Sequence, residues 1–273
     1  MRIGCCGSMI SPAVDPIGIE VIEVMAELGF DYIELSLAHL AALDEDRYID
    51  LVRRVGRSGL RCEACNNFFP AAIRLTGENA RLDDAVEYAR RALDRAAGLG
   101  VCIIVFGSAG AKNVPAGFNH PTAWRQIVEL LQNLGPMAES REITIAIEPL
   151  NKQESNIVNL AAEGLRLALE VAHPNVGLLI DYYHLAMEHE DPAILVEAGA
   201  AIRHVHFAQV AGRRFPYAQE SAGMAAFFDR IRSIRYTGRC SIEAYTDNFR
   251  ADARRALAYL RAATDFDAKE PSL

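Results

Sequence analysis

Four apolar stretches in the second half of the chain each run into a group that can bind a cation or move a proton. Residues 143–147 lead into Glu148, 176–180 into Asp181, 202–205 into His206 and 240–242 into Glu243. A carboxylate or imidazole at the end of an apolar strand is costly to desolvate unless it is paired or bound to a metal. One such residue is readily explained as a helix cap or a loop ion pair. Four in succession, converging on one place, are not. Three carboxylates and one neutral imidazole form an oxygen-rich, nitrogen-poor donor set that suits Mn²⁺, Mg²⁺ or Co²⁺ better than the thiolate sites of structural zinc do. His204 and His206 are two apart and so face the same side of a strand. His206, nearer the loop, is the expected ligand, and His204 is expected one layer deeper as a core histidine.

Such a set needs a scaffold whose strands all end at one mouth. Short apolar runs at 2–6, 32–35, 61–64, 101–106, 144–148, 176–181, 202–207 and 240–243 read as strands. Between them, 20–28, 82–97, 124–140, 160–171, 224–234 and 253–263 carry apolar residues at helical spacing. Weaker helical patterns fill 47–58 and 193–198. Gly29, Gly59, Gly100 and Gly238 precede strands, as helix-ending glycines do. The longest irregular stretch, 106–122, follows a strand. Eight βα units with no linker predict a single-domain α/β (β/α)8 TIM barrel over residues 1–273. A doubly wound sheet would want a Gly-rich phosphate turn after the first strand, and Cys5-Cys6-Gly7-Ser8-Met9 is not one.

The 273 residues include 28 Lys plus Arg against 36 Asp plus Glu, a formal charge of −8. That balance leans away from nucleic acid and from anionic membranes, both of which call for concentrated positive charge. No apolar run reaches the ~18 residues of a membrane span, and the start reads as a strand rather than a signal peptide. Six cysteines are too few for a disulfide scaffold in a chain this long, so reduced thiols and a cytoplasmic location are expected.

The segments Glu148-Pro149-Leu150-Asn151-Lys152-Gln153-Glu154, Asp181-Tyr182-Tyr183-His184, His204-Val205-His206 and Ser241-Ile242-Glu243 together resemble the sugar isomerase/epimerase superfamily. This is the xylose-isomerase-like TIM-barrel group that includes the D-tagatose and D-psicose 3-epimerases. The resemblance implies that Glu148, Asp181, His206 and Glu243 hold one divalent ion, Mn²⁺ first, with Mg²⁺, Co²⁺ or Zn²⁺ as alternatives. It also implies that Glu148 and Glu243 act as acid and base on opposite faces of the substrate. Glu154, His184 and an arginine after the seventh strand would contact the sugar. Arg213 is the first choice for that arginine and Arg214 the second, because the loop holds one extra residue. The family's Pro-Gly-x-Gly is replaced here by Pro216-Tyr217-Ala218-Gln219.

A hydrogen α to a carbonyl is too weakly acidic for a free carboxylate, and a divalent ion on the carbonyl and adjacent hydroxyl offsets the charge of the enediolate. A nearby carboxylate then takes the proton. Return of a proton to the same carbon from the opposite face epimerises it, and return to the neighbouring carbon isomerises an aldose and a ketose. The expected activity is therefore a metal-dependent sugar or sugar-phosphate isomerase or epimerase, with ketose 3-epimerisation preferred. A dehydratase of the inosose or 3-dehydroshikimate type and a catalytically silent sugar-binding barrel are the alternatives. The expected partner is a small sugar or sugar phosphate, with no nucleic acid and no membrane, and a homo-oligomer is allowed for. The DNA-repair enzyme endonuclease IV shares the fold, but its additional histidines have no counterpart after the early strands.

Cys62-Glu63-Ala64-Cys65 looks like a C-x-x-C motif, yet residues three apart on a strand face opposite sides, so these cysteines are expected to be core filler. Glu34, at the end of the second strand, is expected in a structural ion pair, with a place near the substrate as the alternative. Asn66, Asn67, Phe68, Phe118 and Trp124 are further candidates to line the pocket, although Trp124 fits core or an interface better.

Overall fold

Isoleucine, valine and cysteine dominate the short strands, and nearly every one of these side chains is buried, as expected where both faces of a parallel sheet are covered. The computed structural model describes residues 1–218 and 221–265; Gln219 lies outside the described residues. The strands are β1 (Arg2–Cys6), β2 (Tyr32–Ser36), β3 (Arg61–Asn66), β4 (Ile103–Phe106), β5 (Thr144–Ile147), β6 (Val176–Asp181), β7 (Ile202–Phe207) and β8 (Arg239–Ile242). Each pairs in parallel with the next, and β8 closes on β1 with Arg2 opposite Arg239 and Cys5 opposite Ile242. The result is the expected closed (β/α)8 barrel.

Two packed layers hold it. Inside the barrel, Tyr32, Ala64, Ile103, Val105, Ala146 and Leu179 form a small plug. Gly4 leaves room for it, because a Cβ there would stand 2.4 Å from the Tyr32 ring. A larger apolar layer lies between the strands and the surrounding helices. At the base, Glu63 accepts from Arg2 Nε at 3.0 Å and Arg239 Nε at 2.6 Å, tying the closing seam.

The described helices are α1 (Ile22–Leu28), α2 (Leu37–Ala41), α3 (Glu45–Ser58), α4 (Leu82–Gly98), α5 (Ala109–Lys112), α6 (His120–Glu139), α7 (Ala161–Val171), α8 (Tyr182–Met187), α9 (Ile194–Ala198), α10 (Ala222–Ser233) and α11 (Phe249–Ala263). Asn119 and Asn248 cap α6 and α11, which start those helices about one turn before the apolar periodicity does. Gly29 and Gly59 end α1 and α3 in the left-handed region, as expected. Gly238 does not: α10 stops at Ser233, and Gly238 instead packs closely against the Tyr236 ring. Among the described residues no helix is long and apolar enough to cross a membrane.

Two register shifts shape the barrel interior. The pairing of β2 with β3 jumps from Ile33–Cys62 to Glu34–Ala64, leaving Glu63 unpaired as a bulge. The pairing of β6 with β7 jumps from Leu178–Ile202 to Leu179–His204, leaving out Arg203. The first bulge overturns the expectation for the cysteine pair. Skipping Glu63 puts Cys62 and Cys65 on the same, outer side, both in the larger apolar layer. All six cysteines are free thiols, and Cys5, Cys62, Cys65 and Cys240 serve as core filler, whereas the buried Cys6 stands in neither apolar layer and brings its sulfur to within 4.8 Å of Glu34 and His206.

Candidate functional site

Parallel strands in a closed barrel deliver their C-terminal residues to one mouth, and β5 to β8 deliver the four candidate ligands. Asp181 and His206 lie within β6 and β7, whereas Glu148 and Glu243 stand one residue beyond β5 and β8. All four are buried. His206 Nδ1 lies 3.2 Å from Glu148 Oε1 and 3.4 Å from Glu243 Oε2, so the two glutamates flank one ring nitrogen. Asp181 Oδ1 accepts the Tyr183 backbone N–H at 2.7 Å, capping α8. Its second oxygen, Oδ2, is buried with no hydrogen-bond partner, and so is His184 Nε2, 3.6 Å away.

Hydrogen-bond chemistry separates the two histidines. Glu148, Asp181, His184 and Glu243 bring one donor atom each to within 4.8 Å of one another, which at first makes His184 the ligand. However, His184 Nδ1 accepts the Asn151 backbone N–H at 3.2 Å and also lies 2.8 Å from the Asn151 amide. A nitrogen that accepts carries no hydrogen, so in the neutral ring Nε2 is N–H and points a donor into the site. His206 is the reverse. Its Nε2 faces the carboxylate of Glu34 at 3.0 Å, which can only accept, so Nε2 carries one hydrogen, and the proton that Nδ1 shares with Glu148 and Glu243 is the one a cation would displace. The orphaned Asp181 Oδ2, the convergent glutamates and Nδ1 of His206 therefore fit a hard divalent ion.

Arg213 faces the same carboxylates from the loop after β7. It lies in a close ion pair with Glu243, with Nη2 3.6 Å from Asp181 Oδ2 and Nη1 3.4 Å from Glu154 Oε1, and its guanidinium stacks over Tyr183 at 4.7 Å. Its φ of +48° follows Gly212 at +70°, a left-handed pair that turns the loop back over the mouth. Arg214 points away, exposed and paired with Asp247. Glu154 stands at the rim, with Oε1 also accepting from the Asn151 amide at 3.2 Å.

The charges are unequal in effect. Burial, then repulsion from Glu243, raises the Glu148 carboxyl above the usual range. Burial acts on Glu243 too, but His206 and Arg213 outweigh it and hold that carboxyl well below the usual range. Burial likewise opposes the charged form of His206, yet Glu34 and Glu243 lift the imidazole well above its ordinary value.

Further residues line the mouth, Asn66 and Glu34 among the candidates of the sequence and Lys112 and Gly107 without a signal in it. Asn66 Nδ2 donates to Glu243 Oε1 at 3.2 Å. Lys112, on the short α5 within the stretch read as irregular, is fully buried and donates to the Glu148 carbonyl at 3.0 Å. Burial pushes its ammonium down to about 8 against the pull of Glu148. Gly107 backs onto Glu148, where a Cβ would stand 2.1 Å from Oε2. Glu34 is fully buried, and the ion-pair partners expected for it are the imidazoles of His204 and His206 rather than a lysine or arginine. The available signal was the same as for the later strands, a carboxylate ending an apolar run. Trp124 is outside the mouth, on α6, bonded to Glu170 at 2.6 Å and covered by Arg166.

The model of one protein family, the xylose isomerase-like TIM barrel, matches residues 22–263. An L-ribulose 3-epimerase of Methylomonas sp. (strain DH-1) is 28% identical over 225 residues, covering 81% of this chain and 76% of that protein. A ketose 3-epimerase of Arthrobacter globiformis is 25% identical over 271 residues, covering 96% of this chain and 90% of that protein. Among solved structures, a D-psicose 3-epimerase crystallised in the presence of D-fructose has a TM-score of 0.85 at 21% identity, covering 97% of this chain and 99% of that one. At that identity the likeness concerns the fold.

Proposed function

The chain belongs to the xylose isomerase-like TIM-barrel family, and from that premise we propose that it is a divalent-metal-dependent carbohydrate epimerase acting at C3 of a ketose. The observation that carries the proposal is the pair of buried glutamates on either side of His206 Nδ1. Two carboxylates around one centre are what two-sided proton transfer requires, and the relatives named as L-ribulose and ketose 3-epimerases support the choice of reaction.

Glu148, Asp181, His206 through Nδ1, and Glu243 would hold the ion, with Mn²⁺ assigned first. When bound, the ion supplies electrostatic stabilisation of the negative charge that develops on the substrate oxygens as the α-proton leaves. The protein does the rest. One of Glu148 and Glu243 removes the C3 proton, and the other delivers a proton to the opposite face, so the two exchange roles between forward and reverse directions. His184 donates its Nε2 hydrogen to a substrate oxygen. Arg213 orients another oxygen and, with Asn66, fixes the Glu243 carboxylate. Glu154 accepts from a hydroxyl at the rim. The substrate is a small sugar, free or phosphorylated. The six free thiols support a reducing compartment, and we place the enzyme in the cytoplasm.

Turnover of a ketose panel in deuterated water with Mn²⁺ tests this reading. Deuterium at C3 with inversion is expected. Label at C1 or C2 would mean an isomerase, loss of water a dehydratase, and binding without exchange a silent barrel. Glu148→Gln or Glu243→Gln should each reduce epimerisation by about 10²–10⁴-fold. The remaining glutamate should still exchange the C3 proton of one epimer without inverting it. Full epimerisation by either variant would exclude the two-carboxylate mechanism.

A further inference from the structure

Beneath the mouth, a polar cluster fills the barrel between the metal-binding layer and the apolar plug. Glu34 is at its centre. One of its oxygens, Oε1, lies 3.0 Å from His206 Nε2, and the other, Oε2, lies 2.9 Å from His204 Nε2 and 2.5 Å from Ser241 Oγ. Tyr32 OH lies 2.8 Å from the same serine oxygen. Glu34, His204, His206, Ser241 and Tyr32 are all fully buried. A carboxylate without its water shell is expensive unless donors replace that shell, and here β2, β7 and β8 supply them. Both register shifts bear on the arrangement. The bulge at Glu63 sets the β2–β3 register where Glu34 begins, and the bulge at Arg203 sets the β6–β7 register where His204 begins.

We infer that Glu34 is a positioning residue that locks the tautomers of His204 and His206 and so holds the Nδ1 lone pair of His206 toward the divalent ion. The inference rests on the assignment of His206 as a ligand. An ionised carboxylate only accepts, so each facing Nε2 must carry hydrogen. For His204 the alternative is doubly unfavourable. A hydrogen on its Nδ1, which is buried and has no partner, would leave an orphaned donor and turn a lone pair on Nε2 toward the carboxylate. For His206, the same bond orients the ring and makes Nδ1 a stronger donor, as a carboxylate behind a ligating imidazole does. Glutamine has nearly the same shape but one accepting oxygen. With Glu34→Gln, the amide N–H₂ must face one of the two imidazoles, and that ring must give up its Nε2 hydrogen. Asp31, which bonds the β1 backbone from the other end of the barrel, cannot substitute for it.

The test measures Mn²⁺ affinity directly, together with ring tautomers. Glu34→Gln is expected to weaken Mn²⁺ binding about 10–100-fold, with the metal-free protein still folded by circular dichroism. Glu34→Asp keeps two accepting oxygens and should recover part of that loss, whereas a purely space-filling role would make the shorter aspartate the worse variant. In the ¹⁵N-histidine-labelled wild-type protein loaded with diamagnetic Zn²⁺, both His204 and His206 should carry hydrogen on Nε2. This measurement decides the matter even if the glutamine variant does not fold. Hydrogen on Nδ1 of either ring would overturn the inference. So would unchanged Mn²⁺ affinity in Glu34→Gln alongside lost affinity in His206→Asn. Unchanged affinity in His206→Asn would overturn both this inference and the ligand assignment beneath it.

Discussion

At the mouth, the freedom of most of the candidate side chains is removed by a neighbour. Asn151 leaves His184 with a donor facing the site, Glu34 leaves His206 with a lone pair, and Asn66 with Arg213 occupies both oxygens of Glu243. Glu148 is held differently, by space. Its Oε1 faces His206, and its Oε2 lies in the gap left by the missing side chain of Gly107. A Cβ at 2.1 Å from that oxygen is well inside contact distance, and the carboxylate cannot retreat without leaving His206. Gly107→Ala should therefore displace the carboxylate by about 1 Å, a shift that can lower kcat/KM about 10²-fold. The overpacking should cost about 1–3 kcal/mol. Steady-state kinetics and a thermal melt check both numbers, and wild-type kcat/KM in the alanine variant would show that Glu148 does not need this gap.

At the scale of elements, the site reuses what terminates strands and starts helices. Asp181 ends β6 and caps α8, with one oxygen on the Tyr183 N–H and the other turned into the cluster. The two uses separate by substitution. Asp181→Asn keeps an oxygen for the cap, so the melting temperature of the metal-free protein should change little while Mn²⁺ affinity falls at least about 10-fold. Asp181→Ala loses the cap as well, at about 1 kcal/mol, or roughly 2–4 °C. If both variants melt alike, the cap contributes nothing. This economy also explains what could be read from the chain. Eight strands and the carboxylates that end them were legible because apolar runs and their polar ends are local signals. Helices α2, α5 and α8 were not, since four to six residues are too few to display a 3.6-residue period. The bulge at Glu63 was invisible for a related reason, as alternation along β3 says nothing about the register of its neighbour. Glu34 and Asn66 depend on barrel closure, with partners 170 and 177 positions away, so their types were visible but their roles were not. Arg213 was reached only by choosing between two adjacent arginines.

At the scale of the whole molecule, the closed barrel concentrates a small part of the net charge of −8 in one dry place. Glu148, Asp181 and Glu243 are buried within one cluster, with Glu154 at its rim, and Arg213 and His206 offset only part of that charge. The barrel closes through backbone pairing and apolar packing. Its strand pairing is complete from β1 round to β8, and its apolar layers are continuous without the mouth residues. A divalent ion should thus act as a ligand of an already folded protein, and it stabilises by mass action rather than by organising the fold. At a free concentration 100 times its Kd, that stabilisation is about 2.7 kcal/mol. For a chain of this size it raises the melting temperature by roughly 5–10 °C. Differential scanning fluorimetry across a Mn²⁺ series should give a Tm that climbs with log concentration, returns on chelation to one cooperative lower transition, and in Asp181→Asn begins to climb only at a concentration at least about 10-fold higher. A chelated protein that melts without cooperativity would mean that the metal builds the barrel. A melting temperature insensitive to Mn²⁺ would mean that the buried carboxylates are held by Arg213 and His206 alone.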